Sequence, residues 1–252
     1  LSQRRPNPVA VHDDGGSPAE VTAFAFSGAM ARQACGGLLQ CEGALTSNLQ
    51  TDSRKVTTGD LFVAIEGDRF DGNAYIAQAI ERGADGVLYT SGRGEDSISS
   101  ARETSTWMLE SDDTLVALGD LTRSHRRRLN CRLVGVTGSN GKTTTKELLD
   151  LALSTSGAVL ATHANFNNRI GVPLTLARLR SSHGYAVVEM GTSEPGEIAE
   201  LARIAEPEIG LITCISEAHL EGLGTLADVA AEKAALLAAL PDTGVAVVPA
   251  GE

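Results

Sequence analysis

The stretch LVGVTGSNGKTTT, residues 133–145, places two glycines, a lysine and a run of hydroxyls in the order that phosphate binding requires. Leu133 to Val136 reads as a short apolar strand, Gly138 and Gly141 admit backbone angles that a side chain forbids, and a helix is predicted from Thr143 through Leu153. A loop built from Gly138, Ser139, Asn140, Gly141, Lys142, Thr143 and Thr144 would turn backbone N–H groups and the positive end of a helix dipole toward phosphate oxygens. Lys142 adds a point charge, and the Thr143 hydroxyl can ligate magnesium. The ordinary phosphate loop carries glycine five residues before its Gly-Lys pair. Here that position is Val136 and the glycine is Gly135, so the loop is the shorter TGSNGKT. The chemistry expected of it is nucleoside triphosphate binding with magnesium.

Other residues gain meaning from that loop. Glu189 closes the apolar strand AVVEM and would emerge at the loop's sheet edge as an acidic magnesium partner, although a strand-end glutamate on its own is as often structural. His219 follows a strand by a short loop and would reach the same edge. A loop histidine without partners is usually idle, but one near a metal can ligate or orient. The segment HANFNNRIGVPLTL carries Asn165, Asn167 and Asn168, which read either as ordinary turn residues or as an amide-rich binding loop. Lys233, on the predicted helix ADVAAEKAALLAAL, reads from pattern alone as a solvated helix lysine. The run Arg126, Arg127, Arg128 could touch phosphate, and a solvated helix face is the reading the pattern favours.

The elements that must position these residues alternate. Residues 1–20 combine Pro, Gly and charge with little apolar periodicity and are expected to be a disordered tail. Residues 21–110 hold a helix-like AFSGAMARQACGG, a strand at Leu61 to Ile65, a helix at Asn73 to Arg82, a strand at Gly86 to Tyr89 and the polar loop GRGEDSISSARETS. Residues 111–252 open with a linker helix, then strands at 133–136, 158–161, 186–190, 209–214 and 245–248 with helices between several of them. The expected fold is α/β: a small N-terminal α/β domain, then a phosphate-loop domain with a mostly parallel sheet and helices on both faces, truncated at its C-terminus. Ligands of such sheets sit beyond the carboxyl ends of the strands.

Composition narrows the partners. With 21 Lys and Arg against 32 Asp and Glu, the net charge of −11 argues against a broad nucleic-acid or membrane surface, so anionic ligands must be held locally. Cys35, Cys41, Cys131 and Cys214 form no CxxC pair and read as reduced thiols. No leader and no apolar run approaching about 18 residues is found, which predicts a cytoplasmic protein without membrane insertion.

In order along the chain, TDSRKVTTGDLFVAIEGDRFDG, TGSNGKTTTKELL, NFNNRIGVPLTL, EMG, PGEI and EAHLEGLGTL resemble the Mur ligases of peptidoglycan synthesis, from roughly Phe24 to the end. GDRFDG and NFNNRIGVPLTL favour the MurF type, which joins D-alanyl-D-alanine to UDP-N-acetylmuramoyl-tripeptide. The resemblance implies that ATP phosphorylates the terminal carboxylate and that the incoming amine attacks the acyl phosphate. It implies that Lys142 stabilises the transferring phosphoryl group and that Thr143, Glu189 and His219 hold magnesium. It also implies that Lys233 is carbamylated, its charge inverted to serve a second magnesium, which makes Lys142, Lys233 and His219 the catalytic set. Thr51, Asp52, Ser53, Arg54, Asp71 and Gly72, within the 51–54 turn and the 67–72 segment, match the part of the N-terminal domain that shapes the UDP-sugar site, and Asn167 and Asn168 match a loop facing the substrate.

Two positions depart from the family pattern: Ser193 stands where an asparagine is usual, and Ala235 where a glutamate often follows the lysine. The family has three domains and the chain stops at VAVVPAGE, so it reads as a monomeric fragment lacking the C-terminal domain. The rival readings are a MurE-type amino-acid ligase, a folylpolyglutamate synthase and a nucleotide-binding module without turnover. TDSR and GDRFDG ahead of the phosphate loop weigh against the folate enzyme.

Overall fold

A computed structural model describes residues 23–67, 70–217 and 220–250; the expected tail and His219 lie outside the described residues. The helices and strands in chain order are α1 (Gly28–Cys35), β1 (Leu38–Cys41), β2 (Asn48–Gln50), β3 (Asp60–Val63), α2 (Ile76–Glu81), β4 (Gly86–Thr90), α3 (Ile98–Thr104), β5 (Trp107–Ser111) and α4 (Thr114–Arg127). Then follow β6 (Arg132–Thr137), α5 (Lys142–Leu153), β7 (Ala158–Ala161), α6 (Gly171–Leu176), β8 (His183–Glu189), α7 (Glu197–Ala205), β9 (Ile209–Ile212), α8 (Leu220–Leu223), α9 (Leu226–Ala238) and β10 (Val245–Val247).

The strands form two five-stranded sheets. The first has the order β1-β5-β4-β3-β2, parallel except for β1, which runs antiparallel to β5; the second, β10-β9-β6-β8-β7, is parallel throughout. Parallel strands are buried on both faces, and β3 accordingly reads Asp-Leu-Phe-Val with all four residues buried. On one face of the first sheet Leu61, Val63, Leu88, Trp107 and Leu109 pack with Phe24, Phe26 and α4; on the other Phe62, Val87, Tyr89 and Met108 pack with α2 and α3. In the second sheet Leu133, Ala186 and Val188 meet α6, α7 and α9, while Val134, Val136 and Val187 meet α5. Helices therefore cover both faces, as the alternating pattern predicts.

Three sequence expectations need correction. The predicted helix at 73–82 is a 3-10 turn at Gly72–Tyr75 followed by the shorter α2. The polar loop GRGEDSISSARETS holds helix α3, and the strand after it, β5, lies between β1 and β4 in the sheet. Its Ser- and Gly-rich composition hides the helix because only Ala101 within it is buried.

The third correction concerns Arg126 and Arg128, which are packed rather than solvated, whereas Arg127 is exposed as the pattern favours. Asp113 caps α4 by accepting from Leu115 N at 2.8 Å and Val116 N at 3.0 Å. At the other end of α4, Arg126 is 6% exposed and its Nη2 donates to Glu208 Oε1 at 2.9 Å. Arg127 pairs with Glu206, and the Arg128 guanidinium lies 4.2 Å from the Phe26 ring centroid. α4 thus packs against α1 on one side and against α6 and α7 on the other, joining the two sheets.

Candidate functional site

All strands of the second sheet run the same way, so the segments after β6, β7, β8 and β9 emerge at one edge. β6 ends at Thr137 and the loop turns at once into α5. Gly138 has φ +148°, and a Cβ there would collide with the Thr213 hydroxyl, so glycine is required both by conformation and by space. Gly141, with φ +77°, is the residue that opens α5. No side chain caps this helix start. The N–H groups of its first turn therefore have no intrahelical acceptor, which is the arrangement that receives an anion.

A second segment buttresses the loop. Ser139 N donates to Cys214 O at 2.9 Å, and the Ser139 hydroxyl both donates to Ser216 O at 2.9 Å and accepts from Ser216 N at 3.0 Å. The Asn140 amide reaches Ser216 Oγ at 3.3 Å. Ser139 and Asn140 therefore hold the loop's shape with their side chains. Lys142 Nζ curls back over the loop to donate to Gly138 O at 2.8 Å, a position from which it faces the same space as the first-turn amides.

Thr143 and Glu189 meet across this edge. The Thr143 hydroxyl donates to Glu189 Oε2 at 2.9 Å, and Asn167 Nδ2 donates to Glu189 Oε1 at 2.8 Å. Glu189 is 2% exposed and its backbone N–H is held by Thr162 Oγ1 at 2.9 Å, so the carboxylate is rigidly presented. A hydroxyl and a carboxylate oxygen side by side are hard donors of the kind magnesium takes. Among the described residues no three His, Cys, Asp or Glu gather into a metal cluster. Thr144 is exposed on the first turn of α5. Asn168 turns away from this pair: its Oδ1 accepts from Gly171 N at 2.8 Å and Ile170 N at 3.2 Å, shaping the start of α6.

Lys233 is 1% exposed, against the solvated lysine that pattern suggests. Three residues on, Leu236 packs over Gly135 of β6. Because α9 returns between the parallel neighbours β9 and β10, it runs against the strands, and Lys233 stands one turn nearer the phosphate-loop edge. Burial lowers its pKa from the ordinary lysine value, and the positive charge of Lys142 lowers it further. Ala235 lies partly buried against the same core. Ser193 N and Glu194 N donate to Glu197 Oε2, so the position that departs from the family pattern forms a self-contained turn.

A cleft of about 390 Å³ opens at the carboxyl edge of β2 and β3 in the first sheet, lined by Thr51, Asp52, Ser53, Arg54, Gly72 and the exposed rings of Phe70 and Tyr75, among others. The turn residues bracing it are occupied locally. Ser53 Oγ donates to Gln78 Oε1 at 2.7 Å, and Arg54 forks onto Asp52 at 2.8 and 2.9 Å. That hydrogen bond holds the Asp52 carboxyl down at about 2. Asp71 accepts from Asn73 N at 2.9 Å, and a Cβ on Gly72 would stand 2.7 Å from Ile65 N, which fixes glycine there.

Thr213, Ser216, Glu232 and the aromatic Tyr75 escape the sequence reading. The strand-end rule that singles out Glu189 would also have reached Thr213, which follows β9 at the same edge. No local signal marks Glu232.

Fold and site together define a two-sheet α/β protein built around a phosphate loop. The comparisons make the class specific: residues 136–252 match the model of the Mur ligase middle domain, and residues 46–126 match that of the Mur ligase family catalytic domain. The chain belongs to the Mur ligase family and is a homologue of the MurF type. It is 39% identical over 208 residues to the UDP-N-acetylmuramoyl-tripeptide–D-alanyl-D-alanine ligase of Bacillus subtilis, covering 82% of this chain and 44% of that one. Among solved structures, it superposes on MurF from Acinetobacter baumannii with TM-score 0.81 at 32% identity, over 91% of this chain and 50% of the other. MurF ligase from Thermotoga maritima in complex with ADP gives TM-score 0.72 at 31% identity, over 82% and 46%. The chain thus spans half or less of the length of these relatives. No described helix is long and apolar enough to cross a membrane.

Proposed function

We propose that this chain is the N-terminal and middle part of an ATP-dependent amide ligase that adds D-alanyl-D-alanine to UDP-N-acetylmuramoyl-tripeptide, acting as a monomer in the cytoplasm. The observation that carries the reading is the contact between Thr143 of the phosphate loop and Glu189 of the neighbouring strand at 2.9 Å, which puts a metal-binding pair beside an uncapped helix start. The names of the relatives supply the substrates. The division of labour follows: residues 21–110 hold the uridine nucleotide in the cleft lined by Arg54 and Gly72, and residues 111–252 hold ATP.

A carboxylate resists attack by an amine because its carbonyl carbon is electron-rich, and phosphorylation converts its oxygen into a leaving group. Lys142 and the first-turn N–H groups of α5 stabilise charge on the phosphoryl group as it moves. Magnesium, when bound, neutralises the phosphate oxygens. Thr143 and Glu189 would hold it from the protein side, and the family resemblance assigns His219 to the same set. Burial lowers the pKa of Lys233; in its deprotonated form the amine would attack carbon dioxide, forming a carbamate and releasing a proton. The carbamate would replace a cationic head by an anionic ligand beside Lys142.

The test is product mass. The full-length protein given ATP, magnesium, the nucleotide tripeptide and D-alanyl-D-alanine should yield the pentapeptide nucleotide with one ADP per amide, and Lys142→Ala should reduce this by at least about a thousandfold. Turnover only with a dipeptide nucleotide and a free amino acid would move the assignment to the MurE type. Turnover with neither pair would leave a nucleotide-binding protein.

A further inference from the structure

Glu232, the residue before Lys233 on α9, is 8% exposed. An ionised carboxylate tolerates such burial only where donors replace water. The donors come from another element. Glu232 Oε2 accepts from Gly196 N at 2.7 Å, its Oε1 accepts from Ile198 N at 2.8 Å, and the Thr192 hydroxyl stands 3.3 Å from the same oxygen. Helix α7 has no side-chain cap of its own at Gly196, so a carboxylate from α9 caps it.

The capped segment leads back to the phosphate-loop edge. It continues from Glu189 through Met190 and Gly191 to Thr192, and Gly191 N donates to Asn167 O at 2.8 Å while Asn167 Nδ2 holds Glu189. A chain of contacts therefore runs from the neighbour of Lys233, through Thr192 and Asn167, to the Glu189–Thr143 pair. Among the described residues α9 has no comparable polar tie on its inner face: Val229 and Leu236 are the other residues it buries with this pair. Apolar contacts are non-directional and leave a helix free to slide by fractions of an ångström. Two short hydrogen bonds to rigid backbone N–H groups do not.

We propose that Glu232 is a positioning residue: by pinning α9 to the segment that follows Glu189, it sets how far the Lys233 amino group stands from the Glu189–Thr143 pair, and hence how tightly this edge holds a divalent cation with nucleotide. The inference rests on reading this edge as the magnesium–nucleotide site.

The full-length protein is titrated with manganese(II) in the presence of ADP, free manganese being read by electron paramagnetic resonance, and the Tm of each variant is measured alongside. Glu232→Gln, which keeps one acceptor oxygen and loses the other, should weaken manganese binding at least tenfold. Glu232→Asp, one methylene shorter, should weaken it at least threefold and carries the test if the glutamine variant does not fold. Ile198→Val loosens α7 without removing the carboxylate and should lower Tm while leaving manganese affinity within twofold. Folded Glu232 variants that lose Tm yet bind manganese as the parent does would overturn the proposal and leave Glu232 a helix cap. A parent protein that takes up no manganese with ADP, and is indifferent to Lys142→Ala, would instead overturn the nucleotide-site reading beneath it.

Discussion

Gly138 shows how little latitude the phosphate loop has. Its φ of +148° is costly for any L side chain, and a Cβ would drive into the Thr213 hydroxyl. Gly138→Ala should therefore reduce ADP affinity by about tenfold or more, in proportion to a strain of roughly 1–3 kcal/mol. Adding Thr213→Ala should recover only the steric part, because the backbone strain persists; full recovery in calorimetric titration would show that conformation is not limiting. Lys233 poses a different question, since its burial costs stability unless its charge is compensated or removed. Lys233→Ala should abolish turnover of the full-length protein, and short-chain carboxylates should restore part of it. The native protein should carry 44 mass units on this residue, the mass of carbon dioxide (about 44 Da), provided intact-mass measurement avoids acid. No rescue together with an unmodified lysine removes the carbamate.

At the scale of elements, α4 carries the most informative burial. His125 is fully buried, its Nε2 3.0 Å from Leu179 O and its ring edge-on to Phe24 at 5.4 Å, while its Nδ1 has no partner among the described residues. Burial lowers its pKa to about 4, and Arg128 and Arg180 add repulsion. For a base whose folded pKa lies below its unfolded value near 6.5, the stabilising contribution is complete above pH 6.5 and is lost as pH falls toward 4. Between pH 7 and pH 5 the loss should be about 2 kcal/mol in urea denaturation. His183 is shifted in the same direction but is half-exposed and adds little. His125→Gln keeps a donor for Leu179 and should flatten this dependence; an unchanged slope would place the titration elsewhere. α4 also marks where sequence reading stops. The phosphate loop is legible because glycine, lysine and hydroxyl chemistry is local to a few residues. The fate of Arg126, Arg127 and Arg128 depends on Phe26, Glu206 and Glu208, about 80 to 100 residues away, and no window around the arginines contains them. Lys233 hides for a related reason: alanine surrounds it, so α9 shows no polar face from which an inward lysine would stand out. α3 hides because a helix on a polar surface needs only one buried alanine.

For the molecule as a whole, the question is whether two sheets make one cooperative unit. Leu174 and Ala177, at the α6 end of the second sheet's cover, pack into the cluster formed by Phe24, Phe26, Leu118 and Leu121 on the first sheet. Arg128 fastens α4 to the first sheet's side of that seam, its guanidinium over Phe26 and its Nη1 donating to Ala25 O at 3.1 Å. Burial lowers its pKa only to about 10, so it remains charged at neutral pH. Arg126 and Arg203 tie α4 to Glu208 and α7 to Asp120 beyond it. An apolar seam of this kind, unlike exposed ion pairs alone, transmits unfolding, because opening it exposes the cores on both sides. The chain should therefore melt in a single calorimetric transition with matching van't Hoff and calorimetric enthalpies. Leu174→Ala removes apolar packing across the seam, about 1–3 kcal/mol. It should broaden the transition or split it, with the second sheet alone then responding to ADP. Two transitions in the unaltered chain would mean that the sheets are independent, and the ligand-linked shift in Tm would then report on the phosphate-loop half by itself.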